Sequence, residues 1–233
     1  MRIYCIIYSG GTAMIYYALI GDIRASREIN NREAAQELLN QVLKEVNETY
    51  ASDMAADFLI TLGDEFQGLL KTANHLLEIV KHIQRRMYPL AFRFGIGAGE
   101  ISTKIDRKAA IGADGPAFYA AREMITMIHE REDRYKKQAP DIQVYYYEKN
   151  IFAVRTINTM LSLLKTIEDG WTEKQRYTIW DMMLHRGSQE LCAKRLGTSQ
   201  STVARRLADG KYIIYENALE TIAEALRKLE DEI

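Results

Sequence analysis

Two short stretches constrain this chain more than any other feature: Gly21-Asp22, which closes an apolar run over residues 15–20, and Gly63-Asp64-Glu65, which closes another over residues 58–62. Each run is too short for a helix and rich in the residues that suit a buried strand, so each predicts a strand ending in Gly-Asp. The apolar run over residues 66–70 then reads as the return strand of a hairpin, with Asp64 and Glu65 at its tip. Taken singly, either aspartate is explained as a turn cap. Side by side in one sheet, the two carboxylates would hold a divalent metal.

The intervening segments supply the helices such a sheet needs. Asn30 is placed to cap a helix with Glu33 at its third position, and Ala35, Leu38, Leu39, Val42 and Val46 share one face. A second helix is predicted over residues 72–87 on the register of Leu76, Val80, Ile83 and Met87, ending before Pro89. Residues 90–101 follow as a strand in which Phe92, Phe94, Ile96 and Ala98 alternate with Arg93, Gly95, Gly97 and Gly99. Glycines on one strand face mark the close approach of a helix, another backbone or a ligand. The order βαββαβ predicts an α+β domain of ferredoxin-like type, with both helices on one face of an antiparallel sheet and Asp22 and Asp64 within reach of one ion. Beyond it come a loop over residues 111–116, a helix over 117–130 with Pro116 at its first turn, and a strand over 142–147. The charged segment 130–137 reads as a solvated helix end and loop.

An amphipathic helix over residues 151–167 bridges to a C-terminal part that is helical throughout. Within it, residues 189–207 have the spacing of a helix-turn-helix: Ala193 lets two helices approach, Gly197 permits the bend, and Ser199 caps the second helix. Between Arg186 and Lys211 six basic residues face two acidic ones, an excess of +4 in a chain whose net charge is −1. The DNA-facing set expected from this is Ser199, Gln200, Ser201, Thr202, Arg205 and Arg206, the uncharged residues toward base edges and the arginines toward phosphates or bases. A helical bundle that packs or dimerises without DNA is the alternative. Leu219, Ile222, Leu226 and Leu229 give residues 216–232 the face of a dimer or docking helix. The expected division is thus a sheet domain at 14–149, a linker helix at 150–170 and a helix-turn-helix domain at 171–233.

At 233 residues, 47% apolar and 27% charged, the chain has the composition of an ordered soluble protein. Its two cysteines, Cys5 and Cys192, have no metal or redox spacing and fit a reducing cytoplasm. No apolar run is long enough for a bilayer, so no membrane partner is expected. Residues 1–8 read as a strand or a signal-like run, but no small-residue cleavage site follows them. Gly10-Gly11 is what a ribosome-binding sequence would encode in frame, and Met14 follows at start-codon distance, so the natural start is expected at Met1 or Met14, with 1–13 an upstream extension in the second case.

Four blocks carry a family resemblance: Gly21-Asp22-Ile23, Leu62-Gly63-Asp64-Glu65-Phe66, residues 94–101 and residues 111–122. They closely resemble the SatD family of bacterial proteins, nearly throughout the chain from Met14. More remotely they are similar to class III nucleotide cyclases and, through Gly63-Asp64-Glu65-Phe66, to diguanylate cyclase domains. That resemblance implies Mg or Mn held by Asp22 and Asp64 with Glu65 beside them. It implies phosphate contacts from Ile23, Arg24, Ser26 and Arg27, and a transition-state arginine at Arg122. Phe118 stands where cyclases have an asparagine, Ile60 where they have a base-reading lysine, and Leu62 where diguanylate cyclases have a glycine. The resulting expectation is a cytoplasmic bacterial regulator with no membrane partner, in which a metal- and nucleotide-binding domain is coupled to DNA-binding helices in a homodimer. The alternative is a two-metal nucleotidyl cyclase or related phosphoryl-transfer enzyme.

Overall fold

The computed structural model describes residues 14–136, 139–146 and 151–231; the expectations for residues 1–13 and for the end of the last strand at 147 lie outside them. Five strands form one sheet in the order β2-β3-β1-β4-β5. β1 (Tyr16–Ile23) lies at its centre, antiparallel to both β3 (Glu65–Leu70) and β4 (Phe92–Gly99). β2 (Met54–Leu62) is antiparallel to β3 at one edge, and β5 (Ile142–Tyr146) runs parallel to β4 at the other.

Strand alternation divides the core. Tyr17 and Leu19 point to the face covered by α1 (Arg32–Thr49) and α2 (Leu76–Met87), where Leu39, Val42, Val46, Ile79, Val80 and Ile83 are buried. Ala18 and Ile20 point to the opposite face, covered by α3 (Pro116–Tyr135) through Ala117, Phe118 and Ala121. The glycine row of β4 belongs to α3: a Cβ at Gly95 would overlap the Ala121 carbonyl oxygen, and one at Gly97 that of Ala117. Of the three readings open for these glycines, helix packing is the one the structure shows.

Several boundaries differ from the sequence reading. β1 runs through Gly21-Asp22 to Ile23, because Gly21 makes room for the Phe66 ring and Asp22 continues the ladder opposite Glu65 and Arg93. The hairpin turn is therefore Gly63-Asp64 alone, with Gly63 left-handed at φ +63°, and Glu65 opens β3. α1 is capped by Asn31, whose Oδ1 accepts from the Ala34 N–H at 3.0 Å, one residue later than expected. α2 begins at Leu76.

The C-terminal helices are α4 (Ile151–Asp169), α5 (Glu173–His185), α6 (Gln189–Arg195), α7 (Gln200–Asp209) and α8 (Tyr212–Asp231). They share one buried apolar cluster with the α1/α2 face of the sheet. The stripe Leu219, Ile222, Leu226 and Leu229 of α8 is buried in it, so this face docks within the chain. Asn158 of α4 covers the free edge of β5: its Oδ1 accepts from the Val144 N–H, and its Nδ2 donates to the Val144 carbonyl, both at 2.8 Å. That side chain occupies the hydrogen-bonding positions an added strand would need. Among the described residues no helix is long and apolar enough to cross a membrane.

Candidate functional site

Asp22 is not a free carboxylate. Its register partner in β4, Arg93, donates from Nη1 to Oδ1 at 3.2 Å and Oδ2 at 3.1 Å, and His129 Nε2 on α3 lies 3.2 Å from Oδ2. Arg93 is held from its other side by Glu132, with Nε 2.7 Å and Nη2 2.6 Å from Oε2. Arg24 completes the cluster, with Nη1 2.9 Å from Glu132 Oε1 and Nη2 donating to the Pro140 carbonyl at 2.8 Å. Burial raises the Asp22 pKa above the ordinary carboxylate value, while Arg93 and then His129 oppose that shift. Two acids and two guanidiniums thus neutralise one another at the end of the sheet. Segment 130–137 is accordingly not simply solvated, because Glu132 faces inward.

The other residues expected at this site are distributed around the cluster. Glu65 is the direct cross-strand neighbour of Asp22, and its Oε1 accepts from the Thr61 hydroxyl at 3.1 Å. Asp64 occupies the turn itself, with its half-buried side chain forming no hydrogen bond or ion pair among the described residues. Ile23 is buried, Arg24 is directed inward, and Ser26 and Arg27 sit in a short 3₁₀ turn entered through Ala25 at φ +49°. Of the phosphate set, Arg27 is the exposed cation.

A second feature adjoins the first. A cleft of about 370 Å³ lies over the α3 face of β2 and β3, lined by Thr61, Glu65, Gln67, the 111–114 loop and Arg122. Gln67 is buried and donates to the Ala110 carbonyl at 2.9 Å, fixing that loop to the sheet. Asp114 accepts from the Tyr119 hydroxyl at 2.6 Å. The exposed Arg122 side chain forms no hydrogen bond or ion pair among the described residues, so the cleft offers one uncommitted guanidinium beside the Glu65 and Asp114 carboxylates.

Among the described residues no group of three or more His, Cys, Asp or Glu is arranged to hold a metal ion. The donor chemistry gives the reason at Asp22: both its oxygens face a guanidinium that Glu132 keeps in place. The donor set therefore does not fit the Mg or Mn implied by the cyclase resemblance. Sequence reasoning missed Arg93, His129 and Glu132. The signal was the antiparallel register that pairs Asp22 with Arg93, together with the helical i, i+3 spacing of His129 and Glu132.

At the C-terminal end, α6 and α7 are joined by a tight four-residue turn with Gly197 at φ +59°. The Ser199 hydroxyl accepts from the Thr202 N–H at 3.2 Å and also bonds the Ser201 and Thr202 hydroxyls. Val203 and Leu207 are buried, whereas Gln200, Ser201 and Arg205 are exposed. Arg206 is partly buried, with Nη1 3.4 Å from the Thr178 hydroxyl. Arg195 is tied to Asp181 of α5, with Nη2 2.6 Å and Nε 2.9 Å from its oxygens, so one of the counted cations is neutralised by an acid outside the counted segment.

Fold and site together define a mixed α+β protein, with a five-stranded sheet between helical layers and a helical C-terminal part sharing its core. The SatD family profile matches residues 16–226, and the chain belongs to that family. No relative was found among curated proteins. Solved structures similar to it include a bacterial light-regulated adenylyl cyclase, at 9% identity over 57% of this chain and 77% of that one, with a TM-score of 0.41. Another is a regulator of polyketide synthase expression from Bifidobacterium adolescentis, at 11% identity over 92% and 86% of the two chains, with a TM-score of 0.27. Both scores are too low to carry an argument about function.

Proposed function

We propose that this SatD-family protein is a bacterial regulator that reads duplex DNA through α6 and α7 and binds an anionic nucleotide in the cleft beside Arg122. The observation that carries the DNA reading is the division of α7: Val203 and Leu207 fix it to the core while Gln200, Ser201 and Arg205 face outward. A helix whose N-terminal residues are polar, capped and exposed can enter a major groove, where Gln and Ser meet base edges and Arg meets phosphate or guanine. We read α6-turn-α7 as a helix-turn-helix and βαββαβ as a ferredoxin-like core. Arg195 and Arg206, being engaged with α5, support the pair from behind and are not its primary contacts.

The nucleotide reading rests on the cleft. Arg122 is positioned to pair with phosphate, while Gln67 and the 111–114 loop offer polar groups around it. Catalysis is not part of the proposal, because Phe118 is buried where the cyclase pattern needs a polar group and Asp22 is committed to Arg93.

Selection from a random pool of duplexes tests the DNA reading. Enrichment of a defined sequence, altered by Gln200→Ala, is the expected result; no enrichment above the pool would contradict it. For the cleft, thermal shifts with ATP, GTP, cyclic AMP and cyclic GMP should include stabilisation that is lost in Arg122→Ala. No shift with any of the four would overturn the nucleotide reading.

A further inference from the structure

We propose that Arg93 is the resident cation of the Asp22 site, occupying the role that a divalent ion has in the cyclase pattern, so that ligand binding at this end of the sheet is independent of metal. This deepens the nucleotide reading and rests on it for the ligand. The geometry at Asp22 stands by itself.

Three observations converge. Arg93 Nη1 reaches both oxygens of Asp22, at 3.2 and 3.1 Å, from the opposite position on the neighbouring strand. The guanidinium is not a loose side chain that an incoming ion could displace: Glu132 holds its Nε and Nη2 at 2.7 and 2.6 Å, and the Arg93 side chain is only 11% exposed. Arg24 then faces the remaining Glu132 oxygen, so every acid in the cluster already faces a fixed positive charge. A divalent ion brought to Asp22 would stand within a few ångströms of a guanidinium that Glu132 holds in place. Like charges at that distance repel strongly in a partly buried site. Arginine also differs from a metal in what it can do: it orients and neutralises an anion through N–H donors, but it does not polarise a bound water into a nucleophile. The site is therefore built to hold charge in place, which suits a sensor.

The test uses the intact protein and Mn²⁺ alone, followed by electron paramagnetic resonance of the free ion. Wild type should show no Mn²⁺ site tighter than millimolar. Arg93→Met should gain affinity by roughly 100-fold or more, a conservative lower bound on the effect of removing a unit charge a few ångströms from a divalent ion at an effective dielectric constant of about 20. Arg93→Lys, which keeps the charge, should not gain it, and adding Asp22→Asn to Arg93→Met should abolish it. Micromolar Mn²⁺ binding by wild type that disappears in Asp22→Asn would overturn the proposal, as would a folded Arg93→Met with no gain. If Arg93→Met does not fold, the wild-type and Asp22→Asn titrations decide the matter alone. The thermal shift produced by a nucleotide should also be the same in EDTA and in Mn²⁺, and a shift that needs the metal would contradict the inference. Absence of any nucleotide shift defeats the nucleotide reading and leaves the Mn²⁺ result to be judged by itself.

Discussion

At Gly97 the sheet and α3 approach so closely that a single methyl group would strike the Ala117 carbonyl oxygen and the Ala121 amide. Gly97→Ala should therefore push α3 off β4 and cost about 1–3 kcal/mol in chemical denaturation; a loss under ~0.5 kcal/mol would show that the helix yields freely. Asp181 gives a second residue-level prediction, through pH. The Arg195 guanidinium holds its carboxyl below the ordinary value, with burial opposing. A folded pKa below the unfolded one means stability that is fully present above about pH 4 and lost as pH falls through the folded value. The stability gap between wild type and Asp181→Asn should accordingly be widest near neutral pH and close toward pH 3. A gap that stays constant over that range would contradict the ion pair's role. These residues also show how far the sequence was legible. The glycine row of β4 announced a close approach, and only the fold shows that a helix is what approaches. Asp181 drew no notice because its partner lies 14 positions away on another helix.

At the scale of elements, pattern and structure agree where periodicity is strong. β1 and the β2–β3 hairpin are legible as short apolar runs, β4 as an alternation, α1, α2 and α4 as helical stripes, and α3 through Pro116 at its first turn. Their ends were less visible, since β1 continues through Gly21-Asp22 for reasons that lie in Phe66, Glu65 and Arg93 on other strands. The cluster around Asp22 was hidden for the same reason: its members come from β1, the loop after it, β4 and α3, and no local pattern relates them. The β5 edge carries a prediction of this scale. Asn158→Ala removes both hydrogen bonds to Val144, leaving an open strand edge. A loss of about 1–3 kcal/mol and increased self-association in sedimentation are expected. Unchanged stability and an unchanged sedimentation profile would show that the edge is protected otherwise.

Across the whole molecule, a polar junction joins the sheet part to the C-terminal helices. Glu168 on α4 receives Lys81 from α2 and the Tyr215 hydroxyl from α8, both at 2.5 Å on Oε1. Burial, then the Glu168 carboxylate, raise the Tyr215 pKa far above its ordinary value, so the tyrosine stays a donor throughout the physiological range. Glu168→Ala would strand a half-buried ammonium, and a destabilisation of about 3–5 kcal/mol is expected, concentrated at α8. Hydrogen exchange checks this: amides of α8 should exchange faster while those of β1 change little, whereas uniform acceleration would mean the junction is not a separate point of attachment.

The role proposed for α7 is to face DNA. Its most direct test is the affinity of the intact protein for a selected duplex as a function of salt, measured by fluorescence anisotropy for wild type and Arg205→Ala. A steep fall in affinity with salt is expected and, in the variant, weaker binding with a log–log slope shallower by about one unit, as for the loss of one phosphate contact. Binding that is absent at low salt, or that keeps the same affinity and slope without Arg205, would contradict it.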